Sequence, residues 1–411
     1  MKNIKKILCL VLACSLVIFA FAACGETTTE ETSTEEASET ASTSDVKVGF
    51  IFLSDENSTY DLNFINAAIE TCEALGVEYV LKKNVGEDSS CYEACVDLVE
   101  QGCTIIFADS FGHEDYLIEA AKEYPDVEFC HATGTKAHTE GLSNYHNAFA
   151  SIYEGRYLAG IVAGLKLVEM VENGEITEDE ALIGYVGAYT YAEVISGYTA
   201  FFLGVKSVCS YATMEVTFTG SWEDETAEQE AATKLIEDGC VLISQHADSM
   251  GAPTACEAAG VPNVPYNVST YDECPNTYLV SSMINWVPYY TYAIECMING
   301  EEIATDWVGT IENGAVCLGD LNEDLVAEGT AEAIEEAMEA LVSGELHVFD
   351  TSTFTVDGET LTSYLADVDT DADYTADTEA ISDGYFHESE YRSAPYFDIL
   401  IDGITLLDTV Y

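Results

Sequence analysis

The chain has 411 residues, with 13 lysines and arginines against 75 aspartates and glutamates, a formal charge of −62 at neutral pH. That surplus repels phosphate backbones and anionic headgroups, which excludes nucleic acid as a partner, and it leaves few cations to receive an anionic ligand. A neutral or cationic solute is expected, and the length calls for more than one ordinary domain.

Residues 1–23 carry Lys2, Lys5 and Lys6, then an apolar run from Ile7 to Phe21 and two alanines, the pattern of a secretory signal peptide. The run is shorter than the roughly 20 residues a spanning helix needs. Cleavage before Cys24 would free its amino group and leave its thiol to carry a lipid. The segment 24–45, almost all Thr, Glu, Ser and Ala, reads as a solvated tether. The remainder is expected as a monomeric soluble body on the outer face of the cell membrane, held there through the lipid anchor only. With Cys9, Cys14 and Cys24 set aside, eleven of the 14 cysteines remain, an odd number without a CxxC pair. They read as small buried hydrophobes and not as a disulfide framework or a metal site.

From Val46 the chain alternates short apolar runs with amphipathic stretches. Val46 to Leu53 reads as a strand; Leu62, Ile65, Ala68, Ile69, Cys72 and Leu75 then recur at helical spacing, with Gly76 as a stop. Strands follow at 78–81, 104–108 and 127–132, with helices at 92–100 and 114–123 between them. A long helix is predicted from Ala148 to Val171. It opens a second series, with strands at 182–186, 214–218, 241–245 and 263–266 and helices at 191–207, 227–237 and 252–258. Such alternation means α/β lobes, each a doubly wound parallel sheet. The lobes are assigned to 46–147 plus about 283–315 and to 148–282 plus about 316–345. Residues 346–411 read as a C-terminal extension with a hairpin predicted at Asp357-Gly358 and an acidic loop at 367–373. That loop alternates like a calcium loop but lacks the glycine and glutamate such a loop needs, so it reads as solvated.

In parallel α/β lobes, ligands bind beyond the carboxyl ends of the strands. Reading past each strand nominates Asp55 to Tyr60, Asp109-Ser110-Phe111, His131, Ala188-Tyr189, Ser221-Trp222, His246 to Ser249, Tyr266-Asn267 and Asn285-Trp286. Aromatic faces beside hydrogen-bonding groups suit a planar, neutral, polar solute such as a nucleobase or nucleoside. No cofactor or metal is implied. His246, Asp248 and Ser249 cannot form a hydrolase relay from one strand end, and the aspartates near the N-terminus are too scattered for the metal of a nucleoside hydrolase.

Several of these stretches together resemble one family. Asp109-Ser110-Phe111-Gly112, His131-Ala132-Thr133-Gly134, Tyr153-Glu154-Gly155-Arg156-Tyr157-Leu158-Ala159-Gly160, Ser221-Trp222, Gln245-His246-Ala247-Asp248-Ser249 and Asn285-Trp286-Val287-Pro288 are similar to the basic membrane protein family of ABC-transporter binding lipoproteins, over roughly Val46 to Leu318. The resemblance implies a type I periplasmic-binding-protein fold, a hinge crossed three times and a purine base or nucleoside closed in the cleft. It also implies an ABC permease as partner and no enzymatic turnover. Members that bind riboflavin leave another planar solute open, and a surface receptor without a transporter uses the same fold and tether. On this likeness Tyr60 and Trp222 sandwich the base. Asn57, Asp61, Asp109, Ser110, Phe111, Tyr189, His246, Asp248 and Trp286 complete the candidate site. Asn267 and Asn285 stand where the purine nucleoside receptors grip ribose with charged residues, so neutral hydrogen bonds would replace charge-assisted ones.

Overall fold

The computed structural model describes residues 45–368 and 375–411. The signal peptide, Cys24, the tether as far as residue 44 and most of the acidic run lie outside the described residues. No helix among the described residues is long and apolar enough to cross a membrane.

The first lobe begins with β1 (Lys47–Ile51), α1 (Thr59–Leu75), β2 (Glu78–Lys82), α2 (Ser89–Glu100), β3 (Ile105–Ala108) and α3 (Glu114–Glu123), followed by β4 (Glu128–Ala132), α4 (Ala137–Glu140) and β5 (Tyr145–Ala150). The strands run parallel in the order β2, β1, β3, β4, β5. Helix α1 starts at Ser58, whose hydroxyl accepts the Asp61 N–H, and stops at Gly76 in the left-handed region at φ 69°. Gly49 lets α2 settle onto the sheet, because a Cβ there would lie 2.9 Å from a Leu98 methyl.

The second lobe runs through α5 (Ile152–Glu172), β6 (Leu182–Gly187), α6 (Ala192–Val208), β7 (Thr213–Phe218), α7 (Glu225–Glu237), β8 (Leu242–His246), α8 (Gly251–Ala259) and β9 (Asn263–Val264). Its sheet is also parallel, in the order β7, β6, β8, β9. Helices α5 and α6 meet backbone to backbone: a Cβ on Gly160 would sit 2.1 Å from the Phe201 carbonyl oxygen, and one on Gly204 would sit 2.0 Å from that of Tyr157. These are the α/β lobes of the type I periplasmic-binding-protein fold.

The chain passes between the sheets at the β5–α5 turn, where the Ser151 N–H donates to the Gly309 carbonyl. It returns through β10 (Ser282–Ile284) to α9 (Val287–Asn299) and β11 (Asp306–Gly309), which joins the first sheet beside β5. It then leaves along β12 (Val316–Leu318), antiparallel to β10, for α10 (Thr330–Ser343).

Two sequence expectations are corrected. Residues 148–150 finish β5, with Ala132 opposite Ala148, and the long helix starts at Ile152. The tract read as an extension packs into the second lobe: Phe349, Phe386 and Phe397 stack within its core, and strand Ile404–Leu406 adds to the edge of β7. The Asp357-Gly358 turn is present, with both residues at positive φ (52° and 80°) between paired Val356 and Glu359, as a two-residue hairpin turn requires. Of the eleven cysteines among the described residues, all but half-buried Cys317 are free and buried.

Candidate functional site

The strand ends of both sheets converge on one cavity between the lobes, the place where ligands of parallel α/β lobes bind. The first lobe lines it with Ser54, Ser58, Tyr60, Asp61, Ser110, Phe111 and Thr133. The second contributes Glu193, Trp222, Glu223, His246 and Asp248. Tyr60, in the first turn of α1, is held by its hydroxyl, which donates to the Asp109 carbonyl at 2.7 Å, and by the Phe64 ring at 4.7 Å. Trp222 is braced by Tyr189 at 5.2 Å and Tyr191 at 6.2 Å. Phe111 reaches across from the first lobe to within 5.8 Å of Tyr191.

Four acids stand among the hydroxyls around these rings: Asp61, Glu193, Glu223 and Asp248 line the cavity, and among the described residues neither lysine nor arginine does. Asp61 is already engaged: its Oδ1 accepts the Ser54 N–H at 2.8 Å and its Oδ2 the Ser58 hydroxyl at 2.6 Å. Asp248 is buried with Oδ1 unpartnered, and burial first, then the Glu228, Asp61 and Glu193 carboxylates, push its carboxyl well above the ordinary carboxylate range. Behind the cavity wall, burial and neighbouring Asp61 do the same to Asp109, whose Oδ1 accepts the Leu53 N–H at 3.2 Å. Burial, assisted by Arg156, pushes the His246 imidazole down to about 4. His246 is therefore neutral at neutral pH, with Nε2 3.3 Å from Glu193 and Nδ1 unpartnered. A site of this kind offers stacking faces, hydroxyls and carboxyl acceptors, and repels an anion.

The structure brings together Tyr60, Asp61, Ser110, Phe111, Trp222, His246 and Asp248, with Tyr189 against Trp222 and Asp109 behind Tyr60. The other four nominated residues do not line the cavity. Asn57 is exposed and bonds to Asp55. Trp286 is 1% exposed in the core of the first lobe, stacked on Phe64 at 4.3 Å. Asn285 spends its side chain on the Gly314 carbonyl and on the Val287 N–H that opens α9. Asn267 is buried at φ 67° with Nδ2 unpartnered. The Ser249 hydroxyl accepts the Gly251 N–H at 3.0 Å, one residue before the Met250 N-cap of α8. Thr133, Glu193 and Glu223 were not nominated, although each lies within a few residues of a strand end or of Trp222.

A family profile described as ABC transporter substrate-binding protein, PnrA-like, matches residues 52–350. A purine-binding protein of Brucella abortus is 31% identical over 74% of this chain and 83% of its own length. A Haloferax volcanii protein named for glucose binding is 32% identical over 61% of the chain and 60% of its own length, and a nucleoside-binding protein of Lactococcus lactis is 25% identical over 52% and 58%. Among solved structures, an ABC solute-binding protein from Aeropyrum pernix superposes with a TM-score of 0.65 at 16% identity, over 76% of this chain and 94% of its own. Another from Conexibacter woesei gives 0.59 at 23%, over 74% and 98%, so the fold is shared. With the profile spanning most of both lobes and the cleft between them, this chain belongs to the Bmp family of PnrA-like ABC-transporter substrate-binding proteins.

Proposed function

We propose that this protein captures a purine base or purine nucleoside and hands it, unmodified, to an ABC permease, from a lipid-anchored position outside the cell membrane. The observation that carries the reading is Tyr60 from one lobe and Trp222 from the other lining a single cavity together with Asp248, whose Oδ1 is unpartnered. Two aromatic faces suit a planar heterocycle, and a carboxyl acceptor suits its N–H edge. The purine and nucleoside names of the Brucella and Lactococcus relatives point the same way. Glucose, in the name of the Haloferax relative, has no aromatic face to fill the space between Tyr60 and Trp222.

Asp61, Glu193 and Glu223, with the raised carboxyl of Asp248 beside them, disfavour an anionic ligand. A nucleotide would bring phosphate into a negative, partly desolvated pocket, which argues for the uncharged base or nucleoside. Calorimetry with adenine, hypoxanthine, guanine, their nucleosides and a panel of hexoses tests the reading. At least one purine should bind at micromolar affinity or better; heat from the hexoses alone would refute it.

A further inference from the structure

Arg156, on α5, lies behind the cavity wall and is 1% exposed. Its Nη1 donates to the Gln245 carbonyl at 2.9 Å, while Nε and Nη2 have no partner among the described residues. Its central carbon stands 3.5 Å over the Tyr266 ring. A cation taken out of water and held by one carbonyl, without a carboxylate to pair it, is costly to the fold. Stability alone therefore gives no reason for an arginine at this position, and breaches of this kind gather at functional sites.

What the guanidinium faces is His246. The two side chains meet at Gly197 of α6: a Cβ there would lie 2.9 Å from His246 Nδ1 and 3.6 Å from Arg156 Nε, so both nitrogens border the gap that the missing methyl leaves. Gln245, whose carbonyl holds Arg156, is the residue before His246 on β8, and the Tyr266 ring that Arg156 covers is 4.7 Å from the imidazole. On the cavity side the imidazole places Nε2 3.3 Å from Glu193, while Nδ1 is buried and unpartnered. The groups around the ring are thus Arg156 from α5, Glu193 from α6 and Tyr266 from beyond β9, with Asp248 and Asp61 lining the same cavity. Arginine has donors only and keeps its charge in a protein, so a nitrogen turned towards it is favoured as an acceptor and not as a second N–H. Burial first, and then Arg156, hold the ring neutral against the pull of Glu193.

We propose that Arg156 is a positioning residue of the cavity: it keeps His246 Nδ1 an unprotonated acceptor, so that the imidazole carries its one proton on Nε2 and presents it to Glu193. That hydrogen bond to Oε1 fixes the Glu193 carboxylate on the cavity wall and leaves its other oxygen to a ligand N–H. Without the arginine, Glu193 is the charge hydrogen-bonded to the ring and draws a second proton onto it. The ion pair that forms then turns the carboxylate from the ligand to the imidazolium. With the arginine, the cavity keeps one pattern of donors and acceptors from mildly acid to neutral medium. What the ligand gains from that pattern rests on the purine reading above; the state of His246 does not.

Two measurements on the mature protein test it. The first needs no ligand: long-range proton–nitrogen correlation spectra of protein isotope-labelled in its histidines, with His246 assigned by its loss in His246→Gln, read the proton on each ring nitrogen between about pH 5.5 and 8. Wild type should hold the neutral Nε2–H form throughout; a proton on Nδ1, or a ring that charges within that range, would overturn the inference. Arg156→Met or, should that chain not fold, Arg156→Gln should let His246 charge as pH falls through the range, and Arg156→Lys, which keeps a cation there, should hold it neutral. The second is calorimetry with adenosine, guanosine and their bases at the two ends of the range. Affinity should agree within about twofold in wild type and in Arg156→Lys, and be about threefold or more weaker at the acid end in the variant without the cation. A folded Arg156→Met or Arg156→Gln protein with wild-type spectra and a flat profile would reduce Arg156 to packing and overturn the inference. A wild type that binds none of these purines yet shows the neutral Nε2–H form, lost without the cation, would overturn the purine reading and leave this inference standing.

Discussion

The backbone N–H of Thr59, at the start of α1, donates across the cleft to the carbonyl oxygen of Asp248 at 2.7 Å, and the Thr59 hydroxyl reaches the same oxygen at 3.1 Å. Both residues are buried, so the pair joins the two lobes beside the ligand cavity. Opening the cleft to release a ligand must break it. Thr59→Val removes the hydroxyl bond and retains the backbone bond. A net loss of about 0.5–1.5 kcal/mol should raise the ligand dissociation rate about two- to tenfold and leave the association rate nearly unchanged. Stopped-flow fluorescence separates the two rates; a change confined to association would mean the contact does not hold the closed state.

Trp222 and Trp286 should behave as opposites. Trp222 is half-buried on the cavity wall, so Trp222→Ala should cost ligand binding about 1–3 kcal/mol of stacking and barely shift the melting temperature of the empty protein. Trp286 packs against Phe64, Phe149 and Tyr289 in the core, and Trp286→Ala should destabilise the fold by about 3–5 kcal/mol. Thermal melts with and without ligand distinguish the cases, and a Trp222→Ala protein that unfolds would place that ring in the core instead.

The two tryptophans also show how far the sequence could be read. Both follow a strand-like run and both sit in family-like stretches, so pattern alone nominated both; only the packing of α9 against α1 puts one of them inside the first lobe. The parallel α/β plan was legible because most strands are apolar runs followed by a helix with a clear start and stop. Strand β5 was not: its sequence YHNAFA includes buried His146 and Asn147. The partners that satisfy them, Ala304, Glu128 and the Ala137 N–H, are remote in sequence. Strand Ile404–Leu406 is three residues long, too short for any periodicity to register. The place of Thr133 on the cavity wall goes with a backbone angle, φ 68°, which is not a signal the sequence carries.

Glu228 supplies a prediction in pH. It is 0% exposed and accepts the Ser249 N–H at 3.1 Å and the Asp224 N–H at 3.2 Å. Burial, the largest influence, pushes its carboxyl from 4.5 up to about 7. A carboxyl raised in the folded state holds its proton there after the unfolded chain has lost it. Its contribution to stability is complete below pH 4.5 and disappears as pH rises through about 7. Glu228→Gln should remove that share of the pH dependence, about 3 kcal/mol between the two limits. Urea unfolding at pH 4.5, 6 and 8 measures it; a variant whose stability falls with pH as steeply as wild type would show that Glu228 titrates normally.

Asn267 separates the family expectation from the geometry of this chain. If it faced the sugar, Asn267→Asp would supply a charge-assisted hydrogen bond and strengthen nucleoside binding alone, by the margin between about 1.5–3 kcal/mol for a charged bond and 0.5–1.5 for a neutral one. The structure instead has Asn267 1% exposed, with its N–H donating to the Ser282 carbonyl at 3.0 Å and its backbone in the left-handed region. Aspartate tolerates that backbone, so the cost falls on burying the carboxylate. Burial raises the pKa of such a group, so the variant should be nearly as stable as wild type in acid and lose stability as pH rises, by about 3 kcal/mol at pH 8. The ratio of adenosine to adenine affinity should stay at the wild-type value, because Asn267 does not line the ligand cavity. Melting curves at pH 5 and 8 with paired titrations of adenosine and adenine decide the matter. A selective gain for adenosine, with no loss of stability, would return the sugar to Asn267.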